Sequence, residues 1–127
     1  MTPNSYAKKI LSVEDNPTDL KFIKSTLEKH GYIVLSARTG EDGLAIVLHE
    51  KIDLIILDEL LPDTRGTEVC RKLRADPRTK DIPVLFLTVV DEPQNVLDHF
   101  ELDALSHLTK PISGSELVHQ VESILHN

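Results

Sequence analysis

Short β-rich runs alternating with helical patterns predict an α/β fold, a doubly wound parallel sheet with helices on both faces. Two observations carry this. The runs Ile10-Leu11-Ser12-Val13, Leu54-Ile55-Ile56-Leu57 and Val84-Leu85-Phe86-Leu87 are apolar almost throughout, as strands buried on both faces must be. Between them, apolar residues recur at three- and four-residue spacing, the period of a helix with one buried face.

The elements follow in order. The first strand, Ile10 to Val13, leads through Asn16-Pro17 into a helix whose face carries Leu20, Ile23 and Leu27. Asn16 suits the N-cap and Pro17 the first helical position, because proline lacks only an N–H that is unpaired there anyway. Gly31 can end this helix after His30. The second strand is Ile33-Val34-Leu35, and Thr39 caps a helix with Leu44, Val47 and Leu48 on one face. The third strand precedes a helix marked by Val69 and Leu73, with Asp76-Pro77 as a loop beyond it. The fourth strand precedes a weaker helix marked by Val96 and Phe100. The fifth runs from Leu105 to Thr109. Ser113 with Glu116 then fits a capping box opening a last helix with Leu117, Val121, Ile124 and Leu125.

The 127 residues correspond to one domain, 1–127 with a core of about 8–126. The net charge of −7 disfavours a phosphate backbone as partner, so no direct nucleic-acid binding is expected. No apolar run is long enough for a bilayer, and Met1 to Ala7 lacks the apolar core of a signal peptide. A cytoplasmic protein without membrane contact is the expectation. Cys70 is the only cysteine. It forms no internal disulfide, supports no Cys-rich zinc site, and is read as a core residue.

In such sheets ligands bind beyond the carboxyl ends of the strands. Glu14 and Asp15 close the first strand, Asp58 and Glu59 the third, Thr88 the fourth, and Lys110-Pro111 the fifth. Carboxylates gathered in a partly desolvated cleft repel one another, and without neutralisation at least one takes up a proton. A hard divalent cation relieves this, and magnesium takes one or two carboxylates, several waters and a phosphate oxygen. Lys110 adds a point charge and Thr88 a hydroxyl donor. A carboxylate nucleophile, a bridging metal, a cation and a hydroxyl are the parts that hold a transferring phosphoryl group. Singly, each residue reads as a cap, turn or surface residue. Their joint occurrence at four strand ends is what argues for a site.

Four segments carry a family resemblance: Ile10 to Asn16, Ile55 to Gly66 with Asp58, Pro62 and Gly66, the Leu87-Thr88 pair, and Leu108-Thr109-Lys110-Pro111. In this order and spacing they resemble the response-regulator receiver domains of bacterial two-component signalling, from about Lys9 to Leu125. The resemblance implies a flavodoxin-like sheet with strand order 2-1-3-4-5. It implies Asp58 as phosphoacceptor from a histidine kinase or histidine phosphotransfer protein. Mg2+ would be held by Asp15, Asp58 and the Leu60 backbone carbonyl, and by Glu14 mostly through water. Thr88 and Lys110 would grip the phosphoryl oxygens, before a cis bond to Pro111. It also implies a switch in which phosphorylation draws Thr88 inward and alters the surface of the fourth helix, fifth strand and last helix. A downstream protein or output domain would read that surface, and a homodimer could form through it.

Three positions depart from the family pattern. His107 stands where Tyr or Phe is common, either as a modified, pH-sensitive output coupling or as a surface histidine. Val89, followed by Val90, replaces a small residue and, with Leu60, predicts slow loss of the phosphoryl group. Asp103-Ala104 replaces a common Gly-Ala pair. The alternative to a phosphoacceptor switch is a phosphorylation-independent interaction module on the same fold. An aspartate-nucleophile phosphatase is disfavoured because Leu60, two residues after Asp58, cannot act as general acid; a regulatory domain rather than an enzyme is expected. A flavodoxin-like cofactor binder is disfavoured because Glu14-Asp15-Asn16-Pro17 is acidic and lacks glycine. Both a stand-alone regulator and a receiver from a longer protein remain open.

Overall fold

The computed structural model describes residues 7–88 and 106–126. The first strand, β1 (Lys9–Val13), leads into α1 (Pro17–Glu28), β2 (Ile33–Ala37), α2 (Gly40–His49), β3 (Leu54–Asp58), α3 (Gly66–Ala75), β4 (Val84–Thr88), β5 (Ser106–Thr109) and a C-terminal helix (Gly114–Leu125). The five strands are parallel in the order β2-β1-β3-β4-β5. The chain therefore reverses direction across the sheet between β1 and β3, where a doubly wound sheet opens its ligand crevice.

The alternation of side chains across a strand divides the core in two. Ile10, Leu54, Ile56, Leu85 and Leu87 pack under Ile23 and Leu27 of α1 and Leu117 and Val121 of the C-terminal helix. Leu11, Val13, Ile55, Leu57, Val84 and Phe86 face Val47 of α2 and Val69, Cys70 and Leu73 of α3. All five residues of β3 and of β4 are buried, which is why their first four positions are apolar.

The expected caps form. Asn16 Oδ1 accepts from the Thr18 and Asp19 amides, Thr39 Oγ1 from Asp42, and Ser113 Oγ from Glu116. Gly31, at φ 90°, turns the chain out of α1; L side chains avoid that conformation. Cys70 is fully buried, as read from the sequence.

One helix face differs from expectation. Leu48 of α2 is 46% exposed, and the buried face is Gly40, Gly43 and Val47. Glycines add nothing to a hydrophobic periodicity, yet they let the helix lie close to the sheet: a Cβ on Gly43 would come within 2.9 Å of Val13. The expected fourth helix with Val96 and Phe100, together with Val89, Val90, Asp103 and Ala104, lies outside the described residues. Among the described residues no helix is long and apolar enough to cross a membrane.

Candidate phosphoryl site at the carboxyl ends of the strands

Four of the strand-end residues meet. Asp58 ends β3, Thr88 ends β4, Glu14 follows β1, and Lys110 follows β5. The register Asp58↔Leu87 and Thr88↔Thr109 sets these ends side by side. The Lys110 amide donates to the Thr88 carbonyl at 2.8 Å, which ties the lysine to the tip of β4. The Lys110–Pro111 bond is cis.

The Lys110 ammonium is the hub. Its Nζ lies 2.7 Å from Glu14 Oε1, 3.2 Å from Asp58 Oδ2 and 3.2 Å from Asp19 Oδ2. Glu14 is 1% exposed, and burial pushes its carboxyl above the usual carboxylate range, against the pull of Lys110 and of the Asn16 amide. Burial alone would depress the Lys110 ammonium, but its close contact with Glu14 and the charges of Asp58 and Glu14 outweigh that and hold it above the ordinary lysine range. The lysine thus stays charged and neutralises the acids that the fold desolvates.

Asp15 stands apart from this cluster. Its side chain is 52% exposed and lies 3.8 Å from Arg38 Nη2, which also donates to the Asp15 carbonyl at 3.3 Å. The three acids around one cation are therefore Glu14, Asp58 and Asp19. Asp19, in the first turn of α1, was readable from the sequence only as an acid favoured by the helix dipole.

Thr88 is 3% exposed, and its Oγ1 finds no hydrogen-bond partner among the described residues. A buried hydroxyl without a partner costs free energy, and such a group at a site suits an oxygen-rich ligand. His107 sits half-buried in β5, in register with Phe86. Leu60 is 53% exposed at the start of the β3–α3 loop.

That loop is held by Glu59, read from the sequence only as a strand-end acid, and by Asp63. Buried Glu59 accepts from the Thr67 amide at 2.9 Å and from Arg65 and the Thr67 hydroxyl at 3.3 Å. It thereby caps α3, whose own N-cap residue Arg65 offers no acceptor. Burial raises the Glu59 carboxyl, with the Thr67 hydrogen bonds and Arg65 opposing. Asp63 reaches across to α2 and accepts from the Gly40 and Glu41 amides at 2.9 and 3.0 Å; those bonds hold its carboxyl below the usual range. Gly66 completes the loop, because a Cβ there would collide with the backbone carbonyl oxygen of Asp58.

Among the described residues no three acid, histidine or cysteine side chains form a ready-made metal cage. Magnesium does not require one, since it takes one or two carboxylates, backbone carbonyls and water. Glu14 and Asp58 already share one cationic point, and the buried oxygens there are hard donors. The residues present fit a small hard cation.

A five-stranded doubly wound sheet in this order, with Asp58 after β3 and Lys110 after β5 meeting beyond the end of β4, is the flavodoxin-like arrangement. The model of the response regulator receiver domain matches residues 10–122, and the chain belongs to that family of two-component signalling domains. It is 38% identical over 118 residues to the phosphate regulon transcriptional regulatory protein PhoB of Pseudomonas aeruginosa, covering 93% of this chain and 52% of that protein. It is 34% identical over 117 residues to protein PilH of the same organism, covering 92% of this chain and 97% of PilH. The chain thus spans about half the length of PhoB and nearly all of PilH. The receiver domain of a signal transduction histidine kinase from Syntrophus aciditrophicus superposes with a TM-score of 0.85 at 35% identity, covering 94% of this chain and 91% of that one.

Proposed function

We propose that the domain is a phosphorylation switch in which Asp58 accepts a phosphoryl group with Mg2+ bound beside it. The observation that carries this is the Lys110 ammonium bridging Glu14 and Asp58 at the strand ends where Thr88 places a buried hydroxyl with no partner among the described residues. In the transfer, an Asp58 carboxylate oxygen forms a bond to phosphorus as the bond from phosphorus to the donor breaks. The electron pair leaves on the donor, a phosphohistidine imidazole of a kinase or phosphotransfer protein, or acetate from acetyl phosphate. Lys110 and Thr88 then hold phosphoryl oxygens by charge and by hydrogen bond.

Bound magnesium would supply charge neutralisation between Asp58 and the incoming phosphoryl oxygens. Asp15, Asp58 and the Leu60 carbonyl would hold it, with Glu14 acting mostly through water. For this Asp15 leaves Arg38, an exposed pair worth little. The altered surface of the fourth helix, β5 and the C-terminal helix would be read by a downstream protein or output domain. His107 in β5 belongs to that surface, and His107→Tyr should change partner affinity in at least one phosphorylation state.

Intact-protein mass spectrometry after incubation with acetyl phosphate tests the reading. A magnesium-dependent phosphoryl adduct on the wild type, absent from Asp58→Asn, is expected. No adduct on the wild type, or an equal adduct on the variant, would overturn it.

A further inference from the structure

We infer that Asp19 is a positioning residue for Lys110, ion-paired with the ammonium in the unphosphorylated domain and competing for it with an incoming phosphoryl oxygen. This rests on the reading of Asp58 as phosphoacceptor.

An ammonium has three donors. Three carboxylate oxygens, from Glu14, Asp58 and Asp19, lie within 3.2 Å of Lys110 Nζ, and the lysine side chain is only 22% exposed. The Asp58 contact is a hydrogen bond and the other two are ion pairs, so carboxylates crowd the ammonium on three sides, and a phosphoryl oxygen gains Lys110 only by displacing one of them. Glu14 is the closest and is buried, so losing the ammonium would leave its charge uncompensated. Asp58 is the group being modified. Asp19 is 29% exposed, so water can replace the lysine there. It is the acceptor that gives way.

The carboxylate of Asp19 is not occupied by capping its own helix. An acid in the first turn commonly accepts from the N-cap amide. Here the Asn16 amide donates to Glu14 Oε2 at 2.9 Å, and Asn16 Oδ1 takes the Thr18 and Asp19 amides at 2.9 and 3.1 Å. The cap closes without the Asp19 carboxylate, which is left to face Lys110. Its negative charge also opposes the approach of a dianionic donor. Asp19 thus sets the donor concentration the domain responds to, more than the rate once a donor is bound.

Asp19→Asn and Asp19→Glu provide the test, each with two measurements. The first is the exchange rate of the Lys110 ammonium protons by nitrogen-detected NMR, which needs no phosphorylation. The second is the rate of adduct formation against acetyl phosphate concentration at fixed magnesium. Asp19→Asn should speed the exchange and lower the half-saturating concentration about two- to fivefold, the range of one partly exposed ion pair, with the plateau rate changed less. Asp19→Glu, which keeps the charge, should restore both. Unchanged exchange in Asp19→Asn would overturn the inference. So would faster exchange with an unchanged half-saturating concentration, and that outcome leaves Asp58 as acceptor intact. Absence of any adduct on the wild type would overturn the phosphoacceptor reading and this inference with it.

Discussion

Glu14 is where residue chemistry and fold oppose each other. Its carboxylate is buried, and the burial raises its proton affinity although Lys110 lies 2.7 Å away. With a folded pKa above the unfolded one, the folded state holds the proton more tightly. Stability linked to Glu14 is therefore full below the unfolded value of about 4.5 and is lost as pH rises through the folded pKa. Relative to Glu14→Gln, the wild type should lose stability as pH rises through that window, which denaturant unfolding at a series of pH values would show. A flat difference would mean that Lys110 cancels the burial entirely. Asp63 has the opposite sign. Its folded pKa is depressed by the Gly40 and Glu41 amides, so its contribution is present above the unfolded pKa and lost as pH falls through the folded one. Asp63→Ala should cost about 1 kcal/mol at neutral pH, as for other helix caps, and less at pH 2 to 3.

The elements place these residues by two kinds of close approach. Glycines set the first. Gly66 lets the start of α3 lie against the Asp58 carbonyl, and Gly43 lets α2 lie against Val13. Gly66→Ala should destabilise the domain by roughly 1–3 kcal/mol, the range for overpacking, and should impair adduct formation because the strain falls on Asp58. Thermal unfolding with the mass-spectrometric assay would check both; a stable variant with normal adduct would show that the loop adjusts freely. Acids set the second. Glu59 and Asp63 cap α3 and α2 from one loop, so the loop that begins at Asp58 is tied to two helices. Sequence periodicity located α1, α3 and the C-terminal helix by their apolar faces. In α2 it located Leu44 and Val47 correctly on the core side but not Leu48, because glycines carry the close contact there and leave Leu48 outside.

At the scale of the whole molecule, the sheet collects charge that its layers would otherwise disperse. Two apolar layers exclude water from both faces, so charge gathers at the strand ends, and Glu14, Asp58 and Lys110 meet at the carboxyl ends. Cation binding there should stabilise the fold by mass action, since the unfolded chain lacks the arrangement. Millimolar magnesium should raise the melting temperature, EDTA should reverse the rise, and Asp15→Asn should weaken it. Equal shifts in wild type and variant would place the ion elsewhere.

The alternation of strands and helices, the caps at Asn16, Thr39 and Ser113, the core role of Cys70 and the strand-end positions of Glu14, Asp58, Thr88 and Lys110 were all legible in the sequence. They depend on local periodicity and on residue types at element boundaries, which neighbours along the chain determine. Tertiary structure alone decided that Asp19 joins Glu14 and Asp58 on Lys110, while Asp15 turns to Arg38. It also decided that Asp63 caps a helix 23 residues away in sequence. Those choices depend on how α1, α2 and the β3–α3 loop cross the sheet. Several acids near one crevice look alike in a sequence, and only the distances in the packed molecule separate the acid that meets the lysine from the acid that meets solvent.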